Sequence, residues 1–322
     1  VLGGLARRVS YVNSVRSAGG TVLVVDSGRL FRNIATDTDR KRSLARARVI
    51  IRAYTHIGVT AVNVGESELT HGLPFLRRES SQGFPLISAN LVDPLKKIPI
   101  FRPFVITKAG AARVAFFGLL SPGTSSAIQK TAAGKFLVKD PVETAREMFT
   151  VLRAQADIIV LLSDLEPERE RAVAGAVPGL HFIFGGREGR YDHAPVKEGQ
   201  TYILHSSRKG MYTGNLQVTF TNASFPFRDD GYETRIAKKM SDLDHRLRLI
   251  ERSRAIEEDQ RMENAIRLIN KQKTALKEEL EKSRPSQSGN NRFLWTLIPL
   301  DLSRPEDTAV SEWIRRAGFE KD

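Results

Sequence analysis

The chain has 322 residues, 41% of them hydrophobic, no cysteine and a formal net charge of +13, so it can bury one large core or two smaller ones. Without cysteine it makes no disulfide, thiolate metal site, haem thioether or cysteine nucleophile, and no apolar run reaches the roughly 20 residues a membrane-spanning helix needs. The cationic excess suits an anionic surface of lipid or polymer, whereas scattered Lys and Arg, 7% aromatic residues and the lack of any recognisable module do not indicate nucleic acid.

Residues 3–17 place Leu5, Val9, Val12 and Val15 at helical spacing before Ala18-Gly19-Gly20, which predicts a helix with one buried face. TVLVVDSG (residues 21–28) and AVNVGESEL (residues 61–69) are short, β-branched runs ending near glycine. That is the pattern of strands buried on both faces, with polar ends emerging at one edge of a parallel sheet. Between them, residues 42–57 read as a helix and Gly58 as the turn that follows. Further strands are predicted at 85–90, ending in Ser88-Ala89-Asn90, at 104–107 and 113–120 as a hairpin, and at 157–162, 180–184 and 202–205. Asp140 and Pro141 open a helix over 141–154, and residues 199–220 read as a closing hairpin. Strands alternating with helices indicate a layered α/β core.

From Tyr232 to about Arg284 the sequence has neither glycine nor proline and is dense in charge. Leu243, Leu247, Ile250, Met262, Ile266, Ile269, Leu276 and Leu280 form an apolar seam there, on one long helix or on two with a break near residues 253–259. An unbroken helix of about 50 residues would reach ~75 Å, so part of the seam needs a second helix, supplied by a fold-back, a second copy or another protein. Residues 284–291 read as a loop, 292–302 as a strand returning to a core sheet, and 305–317 as a helix capped by Ser303. The organisation expected is a domain over 1–229, a helical arm over 230–284, and a returning strand and helix over 285–322. Asp192-His193 reads as a surface turn. The other histidines share no ligand spacing, and Glu68 with His71 offers only two candidate ligands.

Taken together, GGLARR (residues 3–8), the two runs above, FPLISANL (84–91), ARVAFFGLLSP (112–122), ADIIVLLSDL (156–165), VPGLHFIFGG (177–186) and GMYTGNLQV (210–218) resemble the bacterial 5′-nucleotidase branch of the calcineurin-like metallophosphoesterases. The resemblance implies a four-layered α/β sandwich, two metal ions held by five strand-end motifs, and export to the periplasm or cell surface. Gly28-Arg29 stands where the family has Gly-Asp, and Gly65-Glu66-Ser67-Glu68 where it has Gly-Asn-His-Glu. Ser163-Asp164-Leu165-Glu166 replaces Ser-His-Leu-Gly, and Gly185-Gly186-Arg187-Glu188-Gly189 replaces Gly-Gly-His-x-His. A fifth motif, Asp-x-His, would lie before Val1.

A guanidinium does not deprotonate to become a metal ligand. The expectation is therefore a degenerate site at Arg29, Glu66, Ser67, Asp164, Arg187 and Gly189, with no cofactor and with Arg29 and Arg187 paired to Glu66, Asp164 or Glu188. Drift of freed loops to charged surface residues is the other reading. The function expected is that of a non-catalytic exported scaffold or binding subunit, assembling through residues 232–284 with its own kind or another protein. One alternative is a phosphoesterase that uses a divalent metal such as manganese or zinc, with rearranged ligands Asp26, Glu66, Glu68 and Asp164 and residues from a preceding strand, a carboxylate set that favours hard cations such as magnesium or manganese. Another is that the chain is one segment of a larger exported protein.

Overall fold

A computed structural model describes residues 4–31, 37–124, 128, 136–187, 194–206, 210–223, 226–254, 260–283 and 291–319. The chain divides into two compact units, Val1–Asn215 with Thr296–Asp322, and Leu216–Trp295.

In the first unit, β1 (Val25–Asp26), β2 (Ala61–Asn63) and β3 (Leu86–Ile87) form a small parallel sheet. Helix α1 (Leu5–Ser17) precedes it, and α2 (Asp37–His56), α3 (Glu66–Leu69) and α4 (Leu73–Ser81) are interleaved with its strands. A second sheet is built from β5 (Phe104–Ala109), β6 (Ala112–Leu120), β8 (Ile158–Asp164), β9 (Phe182–Gly185), β10 (Val196–Glu198) and β11 (Thr201–His205), in the order β10-β11-β9-β8-β6-β5. The short pair β4 (Leu91–Val92) and β7 (Leu137–Val138) lies apart from it. Strand β8, IIVLLSD, is buried at every position, as a central parallel strand covered on both faces must be.

Residues alternating along the large sheet point to opposite cores. Phe117, Leu119, Ile159, Leu161 and Ile183 pack against Ala145 and Leu152 of α5 (Pro141–Leu152) and Val173 and Ala174 of α6 (Pro167–Ala176). On the other side, Leu120 joins Val62 and Leu86 of the small sheet, which in turn bury Ala47, Ile51 and Tyr54 of α2 and Leu73 and Leu76 of α4. The result is four layers, helix, sheet, sheet and helix. The sheets approach closely where Gly118 stands, since a Cβ there would fall 2.3 Å from Asn63 Oδ1. A third core joins Ala6, Val9 and Val12 of α1 to Ala53 and Ile57 of α2 and Val310 of a C-terminal helix, Thr308–Arg316.

Several boundaries differ from the sequence reading. Residues 199–220 do not form one hairpin: β10 and β11 pair antiparallel at the edge of the large sheet, while β12 (Tyr212–Thr219) joins a separate sheet with β13 (Phe227–Asp229) and β14 (Asn291–Pro299), ordered β12-β14-β13. The C-terminal helix is capped by Asp307, whose carboxylate accepts the Val310 N–H at 3.0 Å, and not by Ser303. Ser303 is held instead in a turn by Asp301, which accepts its backbone N–H at 3.0 Å. Helices α3, α4 and α6 stand where no helix is predicted. Two of them, α4 and α6, carry proline in their first turn, a placement that suits proline's fixed φ and missing N–H.

In the second unit, β13 (Phe227–Asp229) runs parallel to β14 (Asn291–Pro299). Between them come α7 (Tyr232–Arg254) and α8 (Gln260–Ser283), two separate helices. They fold back on each other antiparallel, with Lys273 paired to Asp244 and Tyr232 Oη donating to Glu279 at 2.6 Å. Ile269 is buried, and Leu243, Leu247, Ile250, Met262, Ile266, Leu276 and Leu280 are half-buried along the seam. With α9 as the label for Thr308–Arg316, no helix among the described residues is long and apolar enough to cross a membrane.

His181 enters β9 with Nδ1 accepting the Ile159 N–H at 3.0 Å, and burial pulls its pKa down to about 4. Unfolding releases it to take a proton at its ordinary value, so the native state loses stability as pH falls from about 6.5 to about 4, by up to ~3 kcal/mol. His181→Asn keeps an acceptor for Ile159 without a titratable ring. Urea denaturation between pH 7 and pH 4 will show this loss in the parent and a shallower one in the variant.

Candidate functional site

The C-terminal ends of β1, β2, β8 and β9 converge on one polar centre. Gly28, at φ 97°, lets the loop after β1 touch the loop after β2, since a Cβ there would sit 3.1 Å from both Asn63 O and Gly65 N. Arg29 then adopts φ 62°, the left-handed region that a residue with a Cβ rarely enters. This turn aims its guanidinium at Asp164, the last residue of β8.

Arg29 Nε donates to Asp164 Oδ1 at 2.7 Å and its Nη2 to Glu66 Oε2 at 2.9 Å. Arg187, two residues beyond β9, approaches the same two oxygens, Nε to Asp164 Oδ1 at 3.2 Å and Nη2 to Glu66 Oε2 at 3.4 Å. Its Nη1 reaches Glu166 Oε1 at 3.1 Å, and Nε also donates to the Asp164 carbonyl at 3.0 Å. Glu166 takes the Ser121 hydroxyl as well. Asp164 is fully buried, and its Oδ2 accepts the Glu66 N–H at 2.7 Å. Burial pushes its carboxyl above the usual range, against the pull of Arg29 and Arg187. For Arg29, burial works against the charge, but Asp164 and Glu66 outweigh it and raise its pKa.

Glu68 ties the two loops together. Its carboxylate accepts the N–H groups of Arg29, Leu30, Phe31 and Gly65 at 2.8 to 3.1 Å, and the Ser67 hydroxyl at 2.9 Å. It is completely buried, and that burial raises its pKa. Ser67 is spent on this bond, and the nearest imidazole in sequence, His71, points away into a pocket of Phe31 and Phe75 with Nε2 3.2 Å from Ser43 Oγ. Glu68 and His71 thus serve different neighbourhoods.

The structure brings Arg29, Glu66, Asp164 and Arg187 together, with Glu68 and Ser67 beneath them. Glu188, Gly189, Asp192 and His193 lie outside the described residues. Asp26 does not join the cluster: its Oδ2 accepts from Tyr54 Oη at 2.9 Å, Tyr54 also pairs with the Arg8 guanidinium, and its Oδ1 accepts the Gly28 N–H at 3.0 Å. Asn90 binds both backbone groups of Leu120 and so braces β6. Three residues emerge that sequence reasoning gave no part in the site. Glu166 is the second anchor of Arg187. Asn63 donates to Ser27 O and Leu119 O, holding the ends of β1 and β6. His205 pairs with fully buried Glu170 at 2.8 Å under Gly185, where a Cβ would collide with the imidazole. The adjacency of these strand ends, invisible in linear spacing, was the missing signal.

Comparison with known proteins bears on the fold that carries this centre. The chain is 25% identical over 247 residues to the 2′,3′-cyclic-nucleotide 2′-phosphodiesterase/3′-nucleotidase of Salmonella typhimurium, covering 67% of this chain and 38% of that protein. It is 22% identical over 255 residues to a Vibrio cholerae 5′-nucleotidase, covering 68% and 45%. Among solved structures, the sulfate thiohydrolase SoxB of Thermus thermophilus superposes with a TM-score of 0.69 at 17% identity, covering 98% of this chain and 46% of that one. The calcineurin-like phosphoesterase YfkN of Bacillus subtilis gives 0.64 at 16% identity, covering 99% and 89%. No family model matches. The four-layered fold is that of the calcineurin-like phosphoesterases on which it superposes. Within this class, the chain is related to the 5′-nucleotidases and cyclic-nucleotide phosphodiesterases, and it spans less than half the length of those two curated relatives.

This relationship corrects the expectation of no cofactor. The class uses divalent metals, and loss of metal binding does not follow from the comparisons. In the arrangement described, however, the carboxylates do not converge on a free point. No three of His, Cys, Asp and Glu among the described residues gather as ligands of one cation. Asp164 and Glu66 give their oxygens to Arg29 and Arg187, so these side chains do not fit a metal as placed and no chemical step is derived through one.

The double variant Arg29→Ala/Arg187→Ala leaves buried Asp164 without a cation and should lose about 3–5 kcal/mol. Each single variant should lose less than half of that, because the other guanidinium remains. Arg29→Gly should exceed Arg29→Ala in stability by about 1 kcal/mol, since glycine accepts the left-handed turn freely. Urea titrations of the parent and the four variants test both statements.

Proposed function

We propose that this chain is an exported, 5′-nucleotidase-like protein of the phosphoesterase fold that binds and assembles rather than turning over phosphoesters. The observation that carries this reading is the pair of guanidiniums sharing Glu66 Oε2 and Asp164 Oδ1. Catalysis of ester hydrolysis needs an open position where water or ester can be activated, and here both acceptor oxygens are shared between two guanidiniums. The imidazole that the resemblance places in this motif is replaced as well. Ser67 stands at the position where the resemblance places the family's imidazole, and its hydroxyl is held by Glu68.

Assembly falls to the α7–α8 hairpin. Pairing the two helices leaves the seam half-buried, with Leu249 and Leu268 on the hairpin 49% and 57% exposed. A further helical surface, from a second copy or another protein, would cover them at a gain of roughly 1 kcal/mol or more per leucine. Sedimentation velocity of the full chain should show self-association that falls when Leu249 and Leu268 are both changed to glutamate. A parent that sediments as a monomer at all concentrations would remove the homo-oligomeric form of this reading.

A second reading has its own support. Glu66, Glu68, Asp164 and Glu166 outnumber Arg29 and Arg187, leaving an acidic excess that a divalent cation would neutralise, and the related proteins are named nucleotidases and phosphoesterases. Hydrolysis of a chromogenic phosphoester, assayed after incubation with manganese or zinc, separates the two. We expect rates equal to the buffer blank. Metal-dependent turnover abolished by Glu66→Gln would establish the second reading instead.

A further inference from the structure

A second charged feature lies in the first unit, on the face where α2 meets α9. Arg48 and Arg52 are four residues apart on the exposed side of α2, and Arg316 stands on α9. With Val49, Trp313 and Ala317 they line a cleft of about 300 Å³. Its walls are apolar and its rim carries three guanidiniums.

The cations are oriented by their neighbours. The Arg52 guanidinium carbon lies over the Trp313 ring, 3.9 Å from its centre, and His56 meets the same ring edge-on at 5.5 Å. A stacked guanidinium keeps its in-plane N–H donors free for an oxyanion. Arg316 is steered from behind by Glu312, whose Oε1 accepts its Nε at 2.6 Å. Neither Arg48 nor Arg52 meets a carboxylate among the described residues, which leaves the rim cationic. Arg48 and Arg52, without a carboxylate among the described residues, repel one another at an apolar cleft unless an anion joins them, while Glu312 offsets part of the Arg316 charge.

We propose that this cleft binds a small phosphorylated molecule, its phosphate gripped by Arg48, Arg52 and Arg316 and its body resting on Val49, Ala317 and the edge of Trp313. Guanidinium forks match phosphate oxygens, and a rim of three guanidiniums answers the higher charge and the three oxygens of a phosphate better than a lone carboxylate would. The cleft is at the small end of the size range for ligand pockets, which suits a compact organic phosphate. It involves none of the residues at the strand-end centre, so it stands whichever reading of that centre holds.

Tryptophan fluorescence tests this directly, because the chain has two tryptophans and Trp295→Phe leaves Trp313 as the sole reporter. Inorganic pyrophosphate is titrated into the full-length Trp295→Phe protein at constant ionic strength. The expected result is a saturable change in Trp313 emission. Arg48→Ala and Arg316→Ala should each weaken binding about tenfold or more, while Arg246→Ala on α7 leaves it unchanged. Should Arg48→Ala fail to fold, the exposed and charge-preserving Arg48→Lys, expected to weaken binding by less, takes its place. A response matched by sodium chloride, or insensitive to all the arginine changes, overturns the proposal. So does binding to phosphatidylglycerol vesicles through these arginines without any saturable response to pyrophosphate, which would make the face a membrane contact instead.

Discussion

A carboxylate buried at the end of a central strand sets the terms for everything around it. Asp164 closes β8, is fully buried, and has no water to solvate it. An ion in that position costs several kcal/mol unless charge and hydrogen bonds answer it from within the protein. Three elements do so: the turn after β1 supplies Arg29, the segment after β9 supplies Arg187, and the first N–H of α3 supplies the bond from Glu66. Remove that demand and there is no reason for Arg29 to hold a left-handed backbone.

Glu68 performs the complementary task. Where Asp164 gathers side chains, Glu68 gathers main-chain donors from residues 29–31 and 65. Those N–H groups belong to turns that cannot pair in a sheet, and burying them unpaired would cost about 1–3 kcal/mol each. One carboxylate therefore holds the loop that presents Arg29, and a second receives the guanidinium it presents. The left-handed turn is affordable because both ends of the loop are fixed.

How much of this was legible follows from the range of each interaction. The buried strands read clearly, because IIVLLSD or ARVAFFGLL has a composition that few other environments tolerate. The seam of α7 and α8 follows the helical spacing, while the fold-back between them shows only in contacts across the chain, such as Asp244 with Lys273 29 residues away. Helices α3, α4 and α6 were missed because their apolar stripes are short and broken by charge, and Glu68 and Glu170 are buried in them as acids. Burial of an acid inside a helix follows from a partner elsewhere in the chain, His205 for Glu170 and the loop amides for Glu68. Local propensity carries no trace of it. In the same way Glu166 was visible only as a residue standing where the resembled family has glycine, and its role needed the position of Arg187.

The charge count of the centre sharpens what the arrangement can do. Each guanidinium bonds both Glu66 Oε2 and Asp164 Oδ1, so two cations share two acceptor oxygens. Shared oxygens hold the cations near each other, and only the surrounding acids make that tolerable, with Glu166 on Arg187 and Glu68 under Arg29. A guanidinium spreads its charge over fixed donors in a plane, so the pair of shared oxygens ties the turn after β1 and the segment after β9 to the end of β8 and the start of α3.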